Sequence, residues 1–136
     1  MLHLQDLAKQ GQHTKLLTIS DSLPSFLCSP CHLNVTYQVE AKDDFYLIHL
    51  GVTGDLNIIC QRCMHEFTFS YDNQTVIAAC RKDERAEQLL VYYETIVSSN
   101  SQVALEDLIR DELHLYVPIF HPIVNDCDSE VNCNTI

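Results

Sequence analysis

The feature that most constrains this chain is a run of strict alternation, in which Leu33, Val35, Tyr37, Val39 and Ala41 interleave with Asn34, Thr36, Gln38 and Glu40. A period of two puts every second side chain on the same side of an extended backbone. This stretch therefore reads as a strand with one dry and one wet face, as an antiparallel sheet supplies. The pattern returns where Phe67, Phe69 and Tyr71 alternate with Glu66, Thr68 and Ser70. Further strands are expected over 14–19, 45–52, 56–60, 75–80 and 91–97, with turns at Lys42-Asp43-Asp44, Gly54-Asp55 and Asp72-Asn73. A meander of neighbouring strands is the simplest topology.

The period changes near the C-terminal end. From a cap at Asn100 or Ser101 to Tyr116, the residues Leu105, Leu108, Ile109, Leu113 and Tyr116 share one arc of a helical wheel, and Pro118 closes the helix. Glu106, Asp107, Arg110 and Asp111 point outward, but Glu112 falls inside the apolar arc, where a carboxylate wants a cation. A short helix is expected over 2–9, and a surface turn of helix or loop over 81–87. Beyond Pro118 there is no periodicity, so the tail is expected to be loose from about residue 119 unless something ties it down. The expected fold is α+β in a single domain spanning 1–136: a twisted antiparallel sheet of roughly five to seven strands, with scope to curl toward a half barrel, packed by one C-terminal helix.

A chain of 136 residues with 46% hydrophobic side chains buries an ordinary core, so no metal is needed to fold it. Eight basic residues against 19 acidic ones give a net charge of −11, which disfavours broad contact with phosphates and favours basic protein partners. No stretch is long and apolar enough for a membrane span, and Met1 to Asp6 lacks the start of a secretory signal, so a reducing, cytoplasmic setting is expected. In that setting the seven cysteines read as thiols or metal ligands before disulfides. The three glycines fit no phosphate-cradling loop, which leaves nucleotide hydrolysis without support.

Two pairs share the C-x-x-C spacing. Cys28-Ser29-Pro30-Cys31-His32 matches a covalent haem attachment pattern, but that chemistry belongs outside the cytoplasm and no second axial ligand is evident, so no haem is expected. Cys60-Gln61-Arg62-Cys63 lies between two expected strands, at the connection of a hairpin, which is the geometry of a zinc knuckle. A disulfide oxidoreductase would place such a pair at the start of a helix instead. One pair is half a zinc site. The other ligands could be Cys127 with His121 or Cys133, or the Cys28 pair, and two partly buried thiols at a hairpin are the commoner outcome. Cys80 or Cys63 beside a histidine could serve as a nucleophile, but no catalytic signature surrounds either. Arg62 and Glu112 would each be costly to bury alone, so they are expected to meet or to be bridged by a polar network, unless both face solvent.

These same residues resemble the YceD family, also called the large ribosomal RNA subunit accumulation proteins. Cys60-Gln61-Arg62-Cys63 followed by Phe67 is similar to that family's C-x-R-C signature. The segment from Leu105 to Pro118, running through Asp111-Glu112, is similar to its helix, and Cys127 to the cysteine that follows the proline. The resemblance covers residues 54 to 127. It implies a cytoplasmic, non-enzymatic factor needed for synthesis, processing or stability of large-subunit (23S) ribosomal RNA. It also implies a metal site drawn from Cys60, Cys63, Cys127 and His121, with Cys133 as a substitute and zinc as the ion. The expected partner is ribosomal RNA or a large-subunit ribosomal protein, and charge favours the protein. The partner surface is expected at Arg62, Glu106, Asp107, Asp111 and Glu112, with no small-molecule substrate. The alternatives are a thiol- or metal-dependent enzyme centred on Cys60 and Cys63, and a purely structural zinc module.

Overall fold

The computed structural model describes residues 2–122. A five-stranded sheet runs in chain order through β2 (His13–Ile19), β3 (Cys31–Ala41), β4 (Phe45–Ile59), β5 (Glu66–Cys80) and β6 (Glu94–Val97). The first four strands form the expected antiparallel meander. β6 departs from it: the chain crosses over through helix α2 (Asp83–Leu89) and returns parallel to β5, pairing Ile77–Cys80 with Glu94–Val97. At the N-terminus, β1 (Leu2–His3) runs into helix α1 (Leu4–Leu7) and pairs with β7 (Gln102–Val103) in a small second sheet. Helix α3 (Leu105–Tyr116) is the last regular element among the described residues. The architecture is α+β with an open, mixed main sheet and a C-terminal helix packed on it. No helix among the described residues is long and apolar enough to cross a membrane.

Two expected turns are absent, because four short expected strands are two long ones. The turn signals Gly54-Asp55 and Asp72-Asn73 lie opposite each other within β4 and β5, with Gly54 paired to Tyr71 and Thr53 to Asp72. Gly54 has a different purpose. A Cβ there would sit 2.7 Å from the His32 carbonyl oxygen and 3.0 Å from Leu33 Cδ2, so its missing side chain lets β3 come close to β4.

The alternation at β3 is realised, with Leu33, Val35 and Val39 buried, although Ala41 at its end is exposed. Those residues meet Val52, Leu56 and Ile58 of β4 and the buried arc of α3, Leu105, Leu108, Ile109 and Leu113, in one core. Each such side chain, once buried, contributes about 1.5–3 kcal/mol. On the opposite face a smaller cluster joins Leu47, Ala78 and Cys80 to Ala86 and Leu89 of α2. Two details of α3 differ from the expected helix. It starts after Ala104 without a side-chain cap, since Gln102 and Val103 are committed to β7. Tyr116 is 43% exposed rather than on the dry arc, and its hydroxyl donates to Glu94.

Candidate metal centre

The β4–β5 hairpin closes at Cys60, whose N–H donates to the His65 carbonyl at 3.0 Å, and Met64 N–H returns to the Cys60 carbonyl at 2.7 Å. Met64 takes a left-handed backbone (φ 65°), which turns the loop tightly enough to bring Cys60 and Cys63 together on one side. Cys60 is fully buried and Cys63 partly so. The chain leaving α3 then crosses this turn. Gln61 N–H donates to the Ile119 carbonyl at 2.8 Å, and His121 N–H points at Cys60 Sγ at 3.4 Å. The His121 ring stacks on Phe67, centroids 4.2 Å apart, and its Nδ1 is 3.5 Å from Cys63 Sγ. The tail is therefore tied down through residues 119–121.

Cys60, Cys63 and His121 bring their three ligand atoms within 4.8 Å of one another, a group able to hold a metal ion. The geometry bears the fit out. In a tetrahedron with metal–sulfur bonds of about 2.3 Å and metal–nitrogen bonds of about 2.05 Å, sulfur and nitrogen ligands lie about 3.5 Å apart. That matches the Cys63–His121 separation of 3.5 Å. An amide donating to a cysteine sulfur, as His121 N–H does to Cys60, favours the thiolate that a metal requires. Cys127 and Cys133 lie outside the described residues. Phe67, noted only as part of an alternating strand and of the signature, orients the imidazole by stacking; an aromatic at fixed distance after the pair was its signal.

The second pair is not drawn in. Cys31 opens β3, is buried, and directs its S–H to the Cys28 carbonyl at 3.5 Å. Cys28 S–H faces Glu66 Oε1 at 3.8 Å. Burial and the Glu66 carboxylate both push the Cys28 thiol up, and burial and Cys28 do the same to Cys31.

Arg62 and Glu112 are not partners in the way expected. The Arg62 guanidinium lies over the Phe120 ring, 4.7 Å from its centroid. Glu112, 4% exposed, accepts from the Tyr71 hydroxyl at 2.8 Å and from the Thr75 hydroxyl at 3.3 Å. Its nest is made of neutral donors. Burial raises the Glu112 carboxyl and outweighs the lowering by Tyr71 and Thr75, while Tyr71 is itself pushed far up by burial and then by Glu112. The Asn73 amide also lowers Glu112, although its nitrogen falls short of full hydrogen-bond geometry. Tyr71 was legible as a phenol on the dry side of a strand, and a buried phenol needs an acceptor.

The acidic outer face of α3 is partly neutralised from within. Arg110 reaches Glu106 at 3.4 Å, Asp107 at 3.1 Å and Asp21 at 2.8 Å. Asp111 lies between the two sides, lining the hollow beside Asp21, Asp107 and Arg110 as well as the groove toward β6. No family model matches the chain, and no curated protein or solved structure matches it either.

Proposed function

We propose that this chain is a non-enzymatic, cytoplasmic factor for the accumulation of large-subunit (23S) ribosomal RNA. In this reading it works through contact with a basic protein of the assembling large subunit. One zinc ion on Cys60, Cys63 and His121, with Cys127 or else Cys133 as fourth ligand, fastens the end of the chain to the hairpin. The single observation carrying the reading is the convergence of Cys60, Cys63 and His121 on one point, since the first two belong to the motif that resembles the YceD family. A bound metal would release protons from both thiols and lock the exit of α3 against the sheet.

The experiment is depletion of the protein in its own organism, followed by the ratio of 23S to 16S ribosomal RNA. The ratio should fall, wild-type protein should restore it, and a Cys60→Ser/Cys63→Ser variant should not. An unchanged ratio on depletion would sink the proposal. The 3.5 Å approach of Cys63 Sγ to His121 Nδ1 also favours a second reading, a thiol enzyme with an imidazole-activated nucleophile. That reading requires Cys63 to be alkylated rapidly at pH 6, where an ordinary thiol is slow.

A further inference from the structure

A groove of about 680 Å³ runs between β6 and the C-terminal half of α3. Ile77 of β5 lies in it, Leu90 and Ile96 line one side, and Leu115 and Tyr116 line the other. Its apolar rim is wet: Leu90 is 59% and Leu115 66% exposed, and Val91 and Tyr92, next along the chain from Leu90, are 80% and 76% exposed. A cluster of large apolar side chains around a concave surface marks a place where another molecule sits. Two exposed carboxylates, Glu94 and Asp111, line the same groove with the buried Glu112 in its wall, and among the described residues no Lys or Arg does.

We propose that this groove is the docking site for a segment of a protein partner that combines Lys or Arg with Leu-sized apolar side chains. The proposal rests on the reading of the chain as a binding factor and moves the contact from the Glu106–Asp107 face, already occupied by Arg110, to the groove beside it. Charge selects the occupant. A second copy would bring another −11 to a surface already lined with carboxylates. Residues 123–136 of this chain contain Asp126, Asp128 and Glu130 and no Lys or Arg, so they do not complement it either. A nucleic acid would set phosphates against the same two exposed carboxylates.

The test titrates the full-length protein into a fluorescein-labelled peptide of alternating Lys and Leu, with a Glu-Leu peptide as comparison, and follows anisotropy. The Lys-Leu peptide should bind saturably and the Glu-Leu peptide should not. Leu115→Glu and Asp111→Lys, both on the exposed side of α3, should each weaken binding at least about tenfold. Asp55→Lys, the same charge change on a distant strand, should leave it unchanged. Equal weakening by Asp55→Lys, or none by either groove variant, would overturn the proposal. So would a wild-type dimer in sedimentation that Leu115→Glu converts to monomer, which would assign the groove to a second copy. Peptide binding should survive Cys60→Ser/Cys63→Ser, so the groove and the metal reading stand or fall separately.

Discussion

Cys28–Cys31 and Cys60–Cys63 have the same spacing and different surroundings, and the difference lies in what faces the sulfurs. Around the first pair stand acceptors, the Cys28 carbonyl and the Glu66 carboxylate, which hold the sulfurs as protonated thiols. Around the second stand an amide N–H that donates to Cys60 and an imidazole nitrogen beside Cys63. The amide favours a thiolate at Cys60 and the acceptors favour thiols at Cys28 and Cys31, while the His121 ring nitrogen adds a third ligand atom, so spacing alone does not make a metal site. The local fold decides which set each pair receives. Cys60 and Cys63 sit at the tip of the longest hairpin, where the chain returning from α3 can reach them. Cys31 is already committed to β3, paired with Ile19.

The largest effect expected from this contrast is at His121. His121→Ala should weaken zinc binding by at least about ten- to a hundredfold, since even outer-shell partners of a metal ligand are worth that much. Competition with a chromogenic chelator reads it, and unchanged affinity would detach His121 from the site. Gly54→Ala separates fold from metal. Its new methyl would strike the His32 carbonyl beside Cys31, so it should destabilise the protein by about 1–3 kcal/mol in urea while leaving zinc stoichiometry intact. Gly51→Ala, whose Cβ meets nothing closer than 3.9 Å, should cost clearly less.

Glu112 shows the opposite limit, a carboxyl group whose burial outweighs the donors around it. Because burial raises it in the folded state, the protonated form is favoured there. The stability it contributes is present below the unfolded-state pKa and is lost as pH rises through the folded-state value. Urea midpoints should therefore decline as pH rises through that window, and Glu112→Gln should flatten this part of the decline. A variant with the full wild-type slope would contradict the assignment. The smallest effect is at Glu66, which adds to burial in raising Cys28. Glu66→Gln should speed alkylation of Cys28 at pH 8, read by mass spectrometry, without speeding that of Cys31 to the same degree.

Much of the fold was legible in the residues. The alternation at β3 and at Phe67 to Tyr71, and the apolar arc of α3, correctly gave the sheet, the helix and the hairpin tip at Cys60–Cys63. Gly54-Asp55 and Asp72-Asn73 misled because each is a good local turn signal that pairing across two long strands overrides. The parallel return of β6 was hidden because a short strand carries no mark of its direction. Glu112 was rightly placed on the apolar arc, with exposure to solvent left open, but its answer was two hydroxyls contributed by β5, and the cation expected to meet it stacks on Phe120 instead. His121 was legible as a ligand type. Its arrival at the knuckle depends on how the chain leaves α3 after Pro118, which no local pattern encodes.

The most direct measurement is zinc stoichiometry by elemental analysis on protein purified reduced, without histidine tag or chelator, for three forms: wild type, Cys28→Ser/Cys31→Ser and Cys60→Ser/Cys63→Ser. The account predicts about one zinc per chain in the first two and none in the third. Zinc lost equally from both double variants, or absent from the wild type, would contradict it.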